Sequence, residues 1–200
     1  MSSSATPTDH AADAADMARL CADRSDALDA LMERHETRLL HWLIRLTGCE
    51  ASAEDTAQDA FVRVFEKCHQ FKAGAQFSNW LYTIAANLVR DAKRSQARHP
   101  HLSLDSESSL GAGDSLSNRL VESAPDPAQA CEAGERAVAV RRAIAALPED
   151  LRIALTLAEY EDRSMADIAE ITQSSIKAVE SRLYRARKDL RSSLAGWLGA

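Results

Sequence analysis

This chain has little of what builds strands, catalytic sites or membrane spans. Of its 200 residues only 7 are glycine and 5 proline. No run alternates β-branched apolar residues with polar ones, so strands and hairpins have nothing to form from. The four cysteines, Cys21, Cys49, Cys68 and Cys131, show no CxxC spacing. Cys68 and His69 are adjacent, a poor geometry for sharing one ion, so neither a metal site nor a cofactor is expected. Scattered cysteines of this kind suit a reducing compartment. No apolar run reaches membrane-spanning length and the N-terminus lacks an apolar leader, which predicts a cytoplasmic chain without membrane insertion. With no glycine-rich phosphate loop and no nucleophile beside a base, an enzyme fits poorest.

What is present is alanine, leucine and helical periodicity. Apolar residues make up 46% of the chain, enough for real cores, and an all-α fold is expected. The net charge of −6 is unevenly spread. Residues 1–26 carry 5 acids and 2 bases, and residues 98–133 carry 6 and 2; residues 27–97 carry 9 of each, and residues 134–200 carry 10 and 11. The acidity therefore sits in the two least patterned segments. A chain this acidic should bind DNA poorly when alone, so any DNA reading would need a partner.

Four segments follow from the patterning: an acidic, disordered extension over 1–26 with a nascent helix around Met17 to Cys21; a helical domain over 27–98; a flexible acidic linker over 99–132, rich in Ser, Asp, Gly and Pro; and a second helical domain over 133–198. In the first domain, residues 27–47 put Leu28, Leu31, Leu39, Trp42, Leu43 and Leu46 on one face, and Gly48 stops that helix. Ser52 and Asp55 then read as a capping box for a helix over 53–68. Its inner face is Ala57, Ala60, Phe61, Val64, Phe65 and Cys68. Its outer face is Asp55, Gln58, Asp59, Val62 and Arg63, carboxylates around an apolar residue, which fits a partner-binding surface or a plain solvated one.

A further helix over 77–98 turns Phe77, Trp80, Leu81, Ile84, Leu88 and Ala92 inward. Its other face lines up Asn79, Thr83, Ala86, Asn87, Arg90, Lys93 and Arg94, amides first and cations after, with Tyr82 at the edge as the more available aromatic. Cations near a helix C-terminus also suit its dipole. In a nucleic-acid reading they hold phosphates while amides and aromatics meet bases. The second domain reads as four helices, ending in a helix-turn-helix over 164–191. Met165, Ile168, Ala169 and Ile171 are apolar in its first helix, and Ile176, Val179, Leu183, Leu190 and Leu194 in its second, which Ser174 is placed to cap. The exposed face of that second helix collects Lys177, Ala178, Ser181, Arg182, Arg185 and Lys188, the chemistry that enters a major groove. The apolar pattern by itself does not separate this from an ordinary helical hairpin with solvated cations.

The residues Asp55-x-x-Gln58-Asp59-x-Phe61, Phe77-x-x-Trp80-Leu81-Tyr82-x-Ile84-Ala85-x-Asn87, Leu147-Pro148, Asp167-Ile168-Ala169-Glu170 and Val179-Glu180-Ser181-Arg182-Leu183-x-Arg185-Ala186-Arg187-Lys188 resemble, in that order, bacterial extracytoplasmic-function sigma factors. The resemblance covers both helical domains, the family's regions 2 and 4. It implies partners: core RNA polymerase through its largest and second-largest subunits, promoter DNA, and an anti-sigma factor. It implies that Asp55, Gln58, Asp59, Val62 and Arg63 bind the polymerase clamp. It further implies that Asn79, Tyr82, Asn87, Arg90, Lys93 and Arg94 read the −10 element, while Ser175, Lys177, Ala178, Ser181, Arg182, Arg185 and Lys188 read the −35 element. Gln173 and Ser175 stand where glycine and proline are common in such turns, and Ala86 replaces a usual arginine. The alternative is a stand-alone helix-turn-helix regulator, against which the acidic charge and the single reading head both argue.

Overall fold

The structure, a computed structural model, describes residues 7–98 and 127–198. Every regular element among them is helical: α1 (Pro7–Cys21), α2 (Asp26–Thr47), α3 (Glu50–Glu66), a 3-10 turn (Cys68–Gln70), α4 (Phe77–Arg98), α5 (Pro127–Ala145), α6 (Glu149–Tyr160), α7 (Met165–Ile171), α8 (Ile176–Ser193) and α9 (Ala195–Leu198).

Helix α2 is the axis of the first unit. Ala27, Leu31, Leu39, Trp42, Leu43 and Leu46 recur at helical spacing, are fully buried, and meet α1, α3, α4 and α6. Gly48 ends it in the left-handed region (φ 74°), its N–H donating to the Ile44 carbonyl, a conformation glycine adopts without a Cβ penalty. The chain re-enters a helix almost at once. Glu50 begins α3 after an extended Cys49, so Ser52 lies within the helix and does not cap it.

The segment read as a disordered extension contains α1. Few large apolar residues mark it, but Met17 and Leu20 are buried at 1% and 2% exposure. The buried carboxylates Asp13 and Asp16 meet Arg34 on α2, and Asp13 also lies 2.9 Å from His35 Nε2. Buried carboxylates paired with the more exposed Arg34 guanidinium thus fasten a helix whose apolar stripe is thin. The linker expected over 99–132 lies outside the described residues up to 126, and from Pro127 the chain is helical.

The two helical units do not stand apart. Ile153, Ala154, Leu157, Ile168, Ile171, Val179 and Leu183 belong to the same apolar core as α2, α3 and α4. Helix α6 is buried over consecutive residues, Leu151 through Leu157, because α2 covers one side and α8 the other. Trp42 Nε1 donates to Thr156 Oγ1 at 3.0 Å inside this seam. A smaller core joins Ile144, Leu147, Leu151, Leu155 and Ala186 where α5 meets α6 and α8.

Candidate nucleic-acid interface

On α3, the spacing that buries Ala53, Ala57, Ala60, Phe61 and Val64 leaves Asp55, Gln58, Asp59 and Val62 exposed and Arg63 half-buried. Phe65, expected inside, is 50% exposed, and Val62 is 53% exposed. The helix ends at Glu66 and it is Cys68, in the 3-10 turn, that fills the inward position. Val62 and Phe65, one turn apart, therefore add an apolar patch to a carboxylate-rich face.

Helix α4 departs most from its expected role. Asn79 and Tyr82, read as exposed base contacts, are 1% and 2% exposed. The Asn79 amide donates to Asp167 Oδ1 at 2.8 Å and Glu170 Oε2 at 2.9 Å, and its carbonyl oxygen accepts from Arg163 at 3.1 Å. The Tyr82 hydroxyl donates to Glu161 Oε2 at 2.6 Å, an oxygen that also accepts from Arg38 Nε at 2.7 Å. Arg163 lies over the Tyr82 ring at 4.8 Å and Trp42 packs on it at 5.0 Å. Burial first, then the Glu161 charge and hydrogen bond, push the Tyr82 phenol far above its ordinary range, so it acts only as a neutral donor. Ala86, placed on the outer face by periodicity, is also fully buried. Helix α4 has a second covered face: α7 covers Asn79, while Trp42 of α2 and the Glu161 and Arg163 side chains of the α6–α7 connection cover Tyr82.

Further along, Arg90 donates to Asn87 Oδ1 at 3.1 Å and lies 3.5 Å from Asp150, while Lys93 lies 3.7 Å from Glu149. Arg94 is exposed and pairs with its neighbour Asp91. Asn87 and Arg90 are half-buried, Lys93 exposed. An open cleft between the end of α4 and the start of α6 collects these cations opposite the two acids.

The helix-turn-helix forms at α7 and α8. Ser164 caps α7 with Asp167 in a reciprocal capping box. Partial burial opposes the Asp167 charge, but the Ser164 hydroxyl, the Asn79 amide, the Ser164 N–H and Arg163 outweigh it and hold the carboxyl below the usual range. Gln173 makes the turn in the left-handed region (φ 51°). Ser175, not Ser174, caps α8, accepting from the Ala178 N–H. Ser174 instead accepts from Arg182 at 2.9 Å, and Arg182 also lies 3.9 Å from Asp150. Ser175, Lys177, Ser181, Arg185 and Lys188 are exposed and Ala178 and Arg182 half-buried.

Sequence reasoning missed four contributors. Tyr184, 71% exposed, shares the α8 face with Lys177, Ser181 and Lys188, being seven, three and four residues from them. Glu161 and Arg163, in the α6–α7 connection, hold the seam; a carboxylate and a guanidinium in a short loop carry no periodicity by which to find them. Asp150 stands between Arg90 and Arg182, one carboxylate facing both reading helices.

The sigma-70 region 2 family profile matches residues 31–99, and the sigma-70 region 4 profile matches residues 137–190. The RNA polymerase sigma-H factor of Pseudomonas aeruginosa is 31% identical over 171 residues, covering 84% of this chain and 86% of that protein. The ECF RNA polymerase sigma factor SigW of Bacillus subtilis is 29% identical over 169 residues, covering 84% and 89%. Among solved structures, the sigma factor RpoE of Bartonella quintana, in complex with the anti-sigma factor NepR, superposes with a TM-score of 0.61 at 26% identity. That match covers 84% of this chain and 96% of the other. The two profiles fall on the two helical units, one on each side of residues 100–126, and this chain belongs to the extracytoplasmic-function group of the sigma-70 family of RNA polymerase sigma factors.

Proposed function

We propose that the chain works by moving between a closed form, in which the second unit covers part of the reading surface of α4, and an open form on RNA polymerase that reads a promoter. The carrying observation is the unequal state of the two surfaces. The α8 face is exposed, whereas Asn79 and Tyr82 on α4 spend their hydrogen bonds on Asp167, Glu170, Arg163 and Glu161. Unpaired bases can take those groups only once α7 has moved away. The exposed face of α3, Asp55, Gln58, Asp59, Val62 and Phe65 with half-buried Arg63 beside it, is the surface left for polymerase in either form. Asn87, Arg90, Lys93 and Arg94 follow the −10 strand, and Lys177, Ser181, Tyr184, Arg185 and Lys188 meet the −35 duplex, with Ser175, Ala178 and Arg182 shaping the turn that presents them.

An anti-sigma partner that binds the closed form would silence the protein; the similar sigma factor of Bartonella quintana forms a complex with such a partner, NepR. The protein itself catalyses nothing in this reading; it supplies specificity to polymerase. No helix among the described residues is long and apolar enough to cross a membrane, in keeping with action in the cytoplasm, where polymerase and DNA are.

Transcription by purified core polymerase, with the DNA upstream of the protein's own gene as template, tests this. A specific transcript should require the protein and fall about 10-fold or more with Arg185→Ala, since one groove contact is worth about 1–3 kcal/mol, while polymerase binding is retained. Asp59→Arg should abolish polymerase binding. A promoter fragment shifted tightly by the protein alone, with no polymerase binding, would instead establish the stand-alone regulator.

A further inference from the structure

Cys21, Cys68 and His69 converge where α1 meets the 3-10 turn, although a whole helical hairpin separates Cys21 from the other two along the chain. Cys21 is the last residue of α1 and Cys68 the first of the turn Cys68–Gln70. The two sulfurs and a ring nitrogen of His69 all lie within 4.8 Å of one another. Cys68 is buried, Cys21 half-buried and His69 exposed. The sulfurs therefore sit on the protein side and the imidazole closes the cluster from the solvent side. Adjacent residues are poor co-ligands on a regular helix, but here the helix has ended at Glu66, and the turn brings the His69 ring back toward both sulfurs.

We propose that this cluster is a binding site for one thiophilic divalent cation of the zinc class, held by Cys21 Sγ, Cys68 Sγ and a His69 ring nitrogen, with a fourth position open to solvent. Two sulfurs and an imidazole are the donors such a cation prefers, and they discriminate against magnesium and calcium, which take oxygen ligands. In a tetrahedral site with metal–sulfur bonds of about 2.3 Å, the two sulfurs stand ~3.8 Å apart. The two sulfurs need to approach by no more than about 1 Å, and the imidazole nitrogen by slightly more, to match. Rotation about Cα–Cβ at a helix end and at an exposed histidine supplies that without moving the core. On binding, each thiol passes its proton to solvent as the sulfur–metal bond forms, with no change of oxidation state. The ion would fasten α1 to the turn that leads into α4, joining the N-terminal helix to the approach of the −10 reading helix.

The test uses the full chain, stripped of metal with a chelator under reducing conditions and titrated with Co2+ alone, then with Zn2+. One equivalent of Co2+ should produce tetrahedral visible bands and a thiolate-to-cobalt charge-transfer band, both bleached by one equivalent of Zn2+, and Zn2+ should raise the Tm. Losing an outer-shell partner already costs a metal site 10–100-fold, so Cys21→Ser and Cys68→Ser should each weaken Zn2+ binding by more than about 100-fold. His69→Gln, at an exposed position where folding is not at stake, should weaken it by at least ~10-fold, and Cys49→Ser should leave it unchanged. The proposal is overturned if the wild-type chain shows no charge-transfer band, or if His69→Gln and Cys21→Ser take up Co2+ as the wild type does. A Cys21–Cys68 disulfide that persists under the reducing conditions and blocks Co2+ uptake would overturn it equally.

Discussion

Single side chains decide where the two units touch, and they are the least legible part of this sequence. Trp80 and Tyr82 illustrate why. Helical periodicity sorts residues into one inner and one outer face, which makes Tyr82 an edge residue. Helix α4, however, is covered on two sides, so Tyr82 is buried and Trp80 is the half-exposed one. Nothing within residues 77–98 announces the second cover; it comes from Trp42 on α2 and from Glu161 and Arg163 in the α6–α7 connection. At this scale the seam makes two testable statements. Thr156→Val removes the acceptor of the buried Trp42 indole N–H. Leaving such a donor unpaired costs about 1–3 kcal/mol, and urea unfolding should show a loss of that size. Asp167 joins α7 to Asn79, and its folded carboxyl lies below the ordinary value. An unfolded aspartate titrates near ~3.9, so the stability it contributes is fully present above that pH and is lost as pH falls through the unfolded and then the folded value. Between about pH 6 and 8 the wild type should exceed Asp167→Asn in stability by a constant amount, and the gap should close below about pH 4. A gap unchanged at acid pH would remove the charge from the account.

Whole elements were more legible where a strong stripe carries them. The stripe of α2 and the glycine that ends it can be read directly from residues 27–48, and Ile168, Ile171, Val179 and Leu183 mark the helix-turn-helix and are all buried. The failures are physical too. Only the end of helix α1, around Met17 to Cys21, can be read from the sequence, because its thin apolar stripe is supplemented by ion pairs with Arg34 and a hydrogen bond between Asp13 and His35. Helix α3 starts ahead of Ser52 because Gly48 closes α2 so tightly that the next helix begins before the serine that looks like its cap. The turn of the helix-turn-helix offers a stability test. Gln173 holds φ 51° with an exposed side chain, a conformation costing a non-glycine residue roughly 1–2 kcal/mol. Glycine relieves that and returns about 0.5–1 kcal/mol to the unfolded chain. Gln173→Gly should therefore stabilise the protein by about 0.5–1 kcal/mol, seen as a higher urea midpoint with an unchanged m-value.

At the scale of the whole molecule, the sequence showed two helical units separated by an acidic segment, and the family match agrees, but not that the units close on each other. Closure depends on pairings between residues about 80 to 120 positions apart, such as Tyr82 with Glu161 and Arg38 with Glu161. No local pattern encodes these. The pairs at the rim, Arg90 and Arg182 with Asp150 and Lys93 with Glu149, are 3.5 to 3.9 Å apart and partly solvated. Such pairs contribute about 0–1 kcal/mol each, so they steer the closed form more than they hold it. Glu161 is different: its side chain is 2% exposed and takes hydrogen bonds from both Tyr82 and Arg38. Removing one partner of a buried pair costs about 3–5 kcal/mol when the other stays buried. Here the Arg38 side chain is 34% exposed and can reach water, which lowers the penalty to about 2 kcal/mol and puts most of it on closure, not on the fold of either unit. Glu161→Ala should thus populate the open form without polymerase. With a donor dye on α3 and an acceptor on α8, the wild type should show high energy transfer that falls when core polymerase is added. Glu161→Ala should show reduced transfer before any polymerase is present, and should bind a promoter fragment alone more tightly than the wild type does. Unchanged transfer in Glu161→Ala would mean that the apolar seam around Ile153, Leu157 and Ile168 suffices to keep the units together, and the opening step would then have to be driven by polymerase alone.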